Sequence, residues 1–269
     1  MSKKIRIRKL NSANVVSRVT LGAMALITIV GFFLLDSKGV DFLDAFSKTF
    51  RDLFVMFFTP RMKHDTLAEA GLQLLITLSL AFLTTVIGSI IALFLALAAA
   101  RNLGNRVVGG VIKAAVAVVR AVPTVLWVLI FAIGAGLGSV AAIIGMTFHT
   151  VGYLLKAYSE SYEEIDEGVI EALKASGASW WQIVFQAVFP ASMTYILTWT
   201  FIRFEINFVT AVAMGAAAGA GGIGFDLFMA SGFYFDLREV GFITWLILAV
   251  AVALELASNK LKNHFIAGN

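Results

Sequence analysis

The sequence predicts an all-α, polytopic membrane protein with about six transmembrane helices, and two observations carry that prediction. Of its 269 residues, 59% are hydrophobic and only 14% charged, where a soluble domain carries about 25%. Such a chain has too little polar surface to cover its own core, so its solvent is lipid. Six segments also reach the roughly 20 apolar residues needed to cross a bilayer: 16–35, 72–99, 107–135, 138–157, 191–216 and 241–258. Each is expected to be helical, because an open strand would leave backbone groups unpaired in hydrocarbon. The absence of cysteine excludes disulfides and thiolate metal sites. A net charge of +4 is too small and too scattered to suggest nucleic acid.

The chain opens on the basic stretch MSKKIRIRKL, followed by an apolar run from Val19 to Leu35. That run ends in FFLLDSKG without a small-x-small cleavage site, so it reads as an uncleaved first helix rather than a signal peptide. With the N-terminus placed inside, inner segments hold thirteen Lys and Arg against six outside, which satisfies the positive-inside rule. The connection 36–70 then lies outside. Phe42, Phe46, Phe50, Leu53, Phe54 and Phe57 recur there at steps of three and four, the pattern of an amphipathic helix in the membrane interface. Three regions follow: residues 1–70 (basic tail, first helix and amphipathic connection), a transmembrane domain over 71–259 with a cytoplasmic loop at 158–190, and a basic tail at 260–269.

Three intramembrane features stand out. In the third segment, Pro123 of the RAVP stretch frees the carbonyl of Val119 and bends the helix. Arg120 beside it either snorkels to the cytoplasmic interface or serves as a charge partner within the bundle. His149 in the fourth segment reads as a hydrogen-bonded core residue. In the fifth, TFIRFEINFVTA at 200–211 carries Arg203 and Glu205. A charge at a helix centre costs roughly 2.5–3.5 kcal/mol and an apolar neighbour returns about 0.3–0.6, so these side chains must face protein or water. Arg203 and Asn207 share a face, whereas Glu205 lies about 200° round from Arg203. Arg203 and Asn207 are therefore expected to line a solute path, with Glu205 held by a donor on another helix or subunit, Arg120 being one candidate. The converse, with Glu205 in the path, fits the spacing nearly as well.

GAGGIG at 219–224 matches G-x-G-x-x-G, but a dinucleotide site needs a strand before it and a βαβ unit around it. An apolar helix precedes this run, so Gly219, Gly221, Gly222 and Gly224 are read as a tight re-entrant turn or outer gate, where positive φ and close approach are needed. No Walker A, HExxH or GxSxG motif occurs. The expectation is a transport subunit, not an enzyme, with no catalytic residue, no metal site and no cofactor of its own.

The stretch EALKASGASWWQIVFQAVFP at 171–190 resembles the EAA loop of ABC-importer permeases. Glu171, Ala172, Gly177 and Pro190 keep the spacing, while Leu173, Ala187 and Phe189 depart from it. RFEIN at 203–207, GAGGIGFDL at 219–227 and GMTFHTVGYLLKAYSESYEEID at 145–166 resemble the phosphonate-type permeases of this binding-protein-dependent class. Val209 departs, since an Arg can stand there. The resemblance implies a type I ABC importer permease fold, working as a homodimer with two ATPase subunits and an extracytoplasmic solute-binding protein in the plasma (inner) membrane of a prokaryote. ATP and Mg would be bound by the ATPase. The cargo implied is phosphonate, phosphate or phosphite, with Glu171, Ala172, Gly177 and Pro190 in the coupling element and Arg203, Glu205, Asn207, Arg120 and Pro123 in or behind the path. The alternative is a secondary carrier or channel for a small anion, which would need no ATPase.

Overall fold

A computed structural model describes residues 12–35 and 39–267, with side chains described as far as residue 261. Among the described residues there are helices and no strand. The basic residues of 1–11 and Lys38 fall outside the described residues. The chain divides into two units, Met1–Arg51 and Asp52–Asn269. In the first, α1 (Ser12–Leu34) buries no residue, as suits an apolar helix solvated by lipid.

The amphipathic helix is α2 (Phe42–Phe58), along which phenylalanines four apart touch: Phe46 and Phe50 tilted at 4.6 Å, Phe54 and Phe58 stacked at 4.8 Å. Its last turns belong to the second unit and rest on α11 (Leu237–Ala267). There the indole of Trp245 donates to the carbonyl of Phe57 at 3.0 Å and packs on its ring. Gly241 lets the Met56 backbone approach where any Cβ would collide. The division at 51/52 falls where the chain becomes fastened to α11, and α11 itself runs helical to Ala267.

The core of the second unit is built from α3 (Leu67–Ala99), α6 (Ser139–Glu163) and α9 (Phe189–Ala218), with α6 packed on both of the others. In lipid, close helix approach depends on small residues. Gly88 on α3 meets the Thr150 methyl of α6, and Gly145 on α6 meets the Val128 backbone. A capping box of Thr66 and Glu69 starts α3, satisfying two of the amide donors that a helix start leaves free.

The segment 107–135 is not one continuous helix. It forms α4 (Arg106–Ala121) and α5 (Thr124–Ala135), bent by 90° to each other. Pro123 at the break has no N–H, so the Val119 carbonyl loses its helical partner. It is recovered by the Trp127 indole, which donates to it at 3.0 Å. Among the described residues five helices are long and apolar enough to cross a membrane, and six spans result if the bent pair counts as one broken span.

Candidate translocation and coupling site

Between α6 and α9 the chain forms a hook. Asp166 caps α7 (Glu167–Ala175) by accepting from the Gly168 amide at 2.7 Å. One side of α7 is held down, with Ile170 buried and Leu173 half-buried against Leu154, Tyr158 and Ile183. The other presents Glu167, Gly168, Glu171 and Ala172 to the outside. Gly177 ends the helix at φ +82°. Its amide donates to the Lys174 carbonyl at 3.0 Å, and that of Ala178 to the Leu173 carbonyl at 3.0 Å. This pair of bonds is the Schellman motif, which needs a left-handed residue at Gly177. The Glu171 side chain is exposed and has no hydrogen-bond or ion-pair partner among the described residues.

The return limb is α8 (Trp180–Ile183), capped by Ser179 and Gln182, and then a π-turn over Val184–Val188. Pro190 follows in the first turn of α9. A proline clashes with the carbonyl four residues back, here Gln186, and a π-turn widens the ring at that point. The Phe189 amide reaches the Val184 carbonyl instead. Pro190 thus shapes the re-entry into the bundle, while Glu171, Ala172 and Gly177 form the exposed tip.

The polar residues of α9 face inward. Arg203 is 3% exposed and Asn207 fully buried. The Arg203 Nε donates to the Thr150 hydroxyl at 3.2 Å, its Nη2 lies 3.3 Å from His149 Nδ1, and its guanidinium sits 5.2 Å over the Tyr153 ring. The Thr150 hydroxyl donates to Asn207 Oδ1 at 3.1 Å, and the Asn207 amide donates to the Thr85 hydroxyl at 2.9 Å. One chain of bonds therefore joins α3, α6 and α9. His149 takes the expected hydrogen-bonded place, but as a half-exposed cover over Arg203. Sequence reasoning passed over Thr85, Thr150 and Tyr153. Their signal was hydroxyls in apolar helices, opposite the stretch that carries Arg203 and Glu205.

The proposed Arg120–Glu205 pair does not form within the chain. Arg120 lies exposed with its Cγ against Gly152 of α6. Glu205 is half-buried on the other side of α9, without an ion pair among the described residues. The cause is the break at Pro123, which ends α4 one residue after Arg120 and keeps it on the α6 side.

The glycine run reverses the chain. Gly219, Gly221 and Gly222 all have positive φ, and α10 (Ile223–Gly232) folds back along α9. A Cβ on Gly224 would strike the Val212 carbonyl, and one on Gly222 the Thr77 hydroxyl. That hydroxyl instead accepts from the Ile223 amide at 3.0 Å, while Ser139 donates to the Ala220 carbonyl at 2.7 Å. The turn is tied to both α3 and α6, with no strand before it.

Beside it, Glu239 at the start of α11 is 1% exposed. It accepts from the amides of Lys63 and His64 at 3.2 and 2.8 Å and pairs with the His64 ring, which stacks on Tyr234. Glu239→Ala leaves these donors unpaired, and a destabilisation of about 2–3 kcal/mol is expected, read as a lower Tm of the purified permease. Asp226, on α10 and outside the five spans, has its carboxyl pushed up to about 6, first by burial and then by the Asp65, Glu239 and Glu69 carboxylates. Its ordinary value is 3.8, so the fold favours the neutral form. The associated stability is complete below the ordinary value and is lost as pH rises through the folded one. Asp226→Asn is expected to raise Tm at pH 7.5 and leave it unchanged at pH 3.5. An equal shift at both values would remove ionisation as the cause.

With this geometry in hand, comparison with known proteins decides the class. Residues 88–266 match the family described as Binding-protein-dependent transport system inner membrane component. The chain belongs to this family. The phosphite transport system permease protein PtxC of Stutzerimonas stutzeri is 33% identical over 70% of this chain and 68% of its own length. The phosphate-import permease protein PhnE of Mycolicibacterium smegmatis is 30% identical over 71% of this chain, which is 36% of that protein. The putative cryptic phosphonate transport system permease protein PhnE2 of Escherichia coli is 34% identical over 46% of this chain and 99% of its own length.

Among solved structures, the permease fold matches the MetNI methionine ABC transporter in inward facing conformations (TM-score 0.66, 20% identity, 76% of this chain and 99% of that chain). It also matches a bacterial transporter that imports alginate (TM-score 0.64, 15% identity, 94% and 98%). The fold is that of type I ABC importer permeases. The chain is a multi-pass transport component rather than an enzyme, and its family works with an ATPase and a binding protein. That membership tells against a carrier without an ATPase.

Proposed function

We propose that this permease passes a phosphorus oxyanion (phosphonate, phosphate or phosphite) as a homodimer, with two ATPase subunits that bind ATP and Mg, and with an extracytoplasmic binding protein. The N-terminus and the hook at 158–190 are placed in the cytoplasm by the distribution of Lys and Arg. The observation that carries the cargo is the similarity to phosphite, phosphate and phosphonate permeases at 30–34% identity. The geometry supports it with Arg203, a buried cation that no carboxylate neutralises among the described residues. An arginine fork gives a charge-assisted bond to a phosphoryl oxygen.

In this reading the exposed tip of the hook (Glu171, Ala172 and Gly177) docks on the ATPase, with Pro190 setting its return. ATP binding rocks α6 against α9, and His149 and Tyr153 uncover Arg203. Asn207 holds Arg203 through Thr150, Pro123 and Arg120 shape the wall on the α6 side, and Glu205 faces the second permease copy. The glycine turn is the outer gate. Permeases named for methionine also match, at 27–29% identity, so the test must include that amino acid. Isothermal titration of the cognate binding protein is expected to give saturable heat with phosphonate, phosphate or phosphite and none with sulfate or methionine. Saturation by methionine alone would overturn the cargo.

A further inference from the structure

Near the hook, α4 borders two adjoining grooves, one of about 390 Å³ at the end of α3 and one of about 330 Å³ against α6. They share Arg101 and Lys113. The first is lined further by Arg106, Asn105, Gly109 and Gly110, the second by Arg120, Lys156, Glu160 and Glu163. Five cations therefore face two carboxylates. Both carboxylates are already engaged: Glu163 with Lys113 at 2.7 Å and with the Arg101 amide at 2.9 Å, Glu160 with Lys156 at 3.7 Å. Arg106 and Arg120 have no carboxylate partner among the described residues. They stand at opposite ends of α4, about 21 Å apart at helical rise, and Asn105 caps the end nearer Arg106.

We infer that the first groove, at the amino end of α4 and lined by Arg101 and Arg106, binds a phosphoryl oxyanion. Planar guanidinium groups suit a phosphoryl group, taking two of its oxygens at once, and the amino end of α4 adds its positive dipole. The glycines matter for a separate reason. Gly109 is needed for packing, because a Cβ there would press on the Ala99 carbonyl at 2.9 Å, but a Cβ on Gly110 meets nothing within 4 Å. Gly110 leaves open the floor of a groove that a side chain could have filled. The site also adjoins the hook. Leu103, in the loop between α3 and α4, accepts from the Trp180 indole at 3.0 Å, and Asn102 donates to the Tyr162 carbonyl at 2.7 Å. An anion drawn onto Arg101 and Arg106 therefore bears on the loop that supports the coupling element. The same chemistry has two sources on a cytoplasmic membrane face, a free phosphate or the headgroup of an anionic lipid. Basic pockets between membrane helices hold such headgroups. An apolar groove lined by Phe94, Leu97, Val108 and Trp181 adjoins at Asn105 and offers room for an acyl chain.

Because the chain has no cysteine, Val107→Cys, exposed and next to Arg106, supplies a single labelling point. The whole transporter, permease with its ATPase, carries an environment-sensitive fluorophore there and is titrated without ATP. Inorganic phosphate in detergent is compared with chloride at equal ionic strength. Vesicles of phosphatidylcholine with one-fifth phosphatidylglycerol are compared with phosphatidylcholine alone. A saturable response is expected to phosphate, to phosphatidylglycerol, or to both in competition, which assigns the source as solute, lipid or shared. The double substitution Arg101→Gln with Arg106→Gln is expected to raise the midpoint at least tenfold. Gly110→Leu, which leaves every charge in place, is expected to do the same. Responses no larger than those to chloride and to pure phosphatidylcholine overturn the inference, as does a midpoint unmoved in both variants. No transport is measured, so a negative result here leaves the cargo reading standing, and an error in the cargo leaves this one standing.

Discussion

Gly177→Val is expected to abolish ATP-driven uptake while the permease still folds and inserts. At φ +82° a β-branched side chain is strained, by about 1–3 kcal/mol. The strain falls on an exposed turn, and a Cβ at Gly177 meets nothing within 4 Å. Relief comes by unwinding the Schellman pair, which frees the carbonyls of Leu173 and Lys174. The last turn of α7 then tilts relative to its anchors, Ile170 and Ile183. A shift of about 1 Å in an element that transmits motion between proteins can cost on the order of 100-fold in rate. Gly177→Asn is the control, since asparagine tolerates the left-handed region, and most uptake should return. The readout is uptake into vesicles together with retention of the ATPase on purification. Wild-type uptake in Gly177→Val would take the hook out of the coupling role.

That hook was legible in sequence because it is local. A glycine that must take positive φ and a proline at a helix start each act within a few residues, and Gly177 and Pro190 carry those signals in order along 171–190. The apolar segments were legible for a similar reason, since lipid imposes length and composition on each helix separately. What sequence left hidden was long-range. Nothing local says that Glu239 fastens residues 63–64, or that Thr150 and Thr85 complete the Arg203–Asn207 network. Helical spacing placed Arg203 and Asn207 on one face correctly, but not whether it faced a path or a neighbouring helix. The Arg120–Glu205 pair does not form within the chain, and periodicity could not say so because it supplies an angle around one axis only. Pro123 changed the axis by 90°.

Arg203→Met is expected to leave the fold as stable or more stable, by roughly 1 kcal/mol, and yet to lose uptake. A guanidinium that is 3% exposed has given up most of its hydration. It recovers a hydroxyl, an imidazole nitrogen and a ring face, none of them charged. Methionine removes that desolvation cost and occupies similar volume. Thr150 keeps its bond to Asn207, so no buried donor is orphaned. A purely structural arginine would not be expected to behave this way. If it serves as the cation that a phosphoryl oxygen meets when α6 and α9 part, its loss removes a charge-assisted bond of about 1.5–3 kcal/mol, roughly 10–100-fold in uptake. Asn207→Leu provides the contrast. It strips an acceptor from Thr150 and a donor from Thr85, and about 1–3 kcal/mol of stability should go with them. Thermal unfolding and vesicle uptake, measured on the same preparations, separate the two. Parallel loss of stability and uptake in Arg203→Met would make Arg203 a brace between helices, and the search for the anion's partner would turn to the face of α9 that carries Glu205.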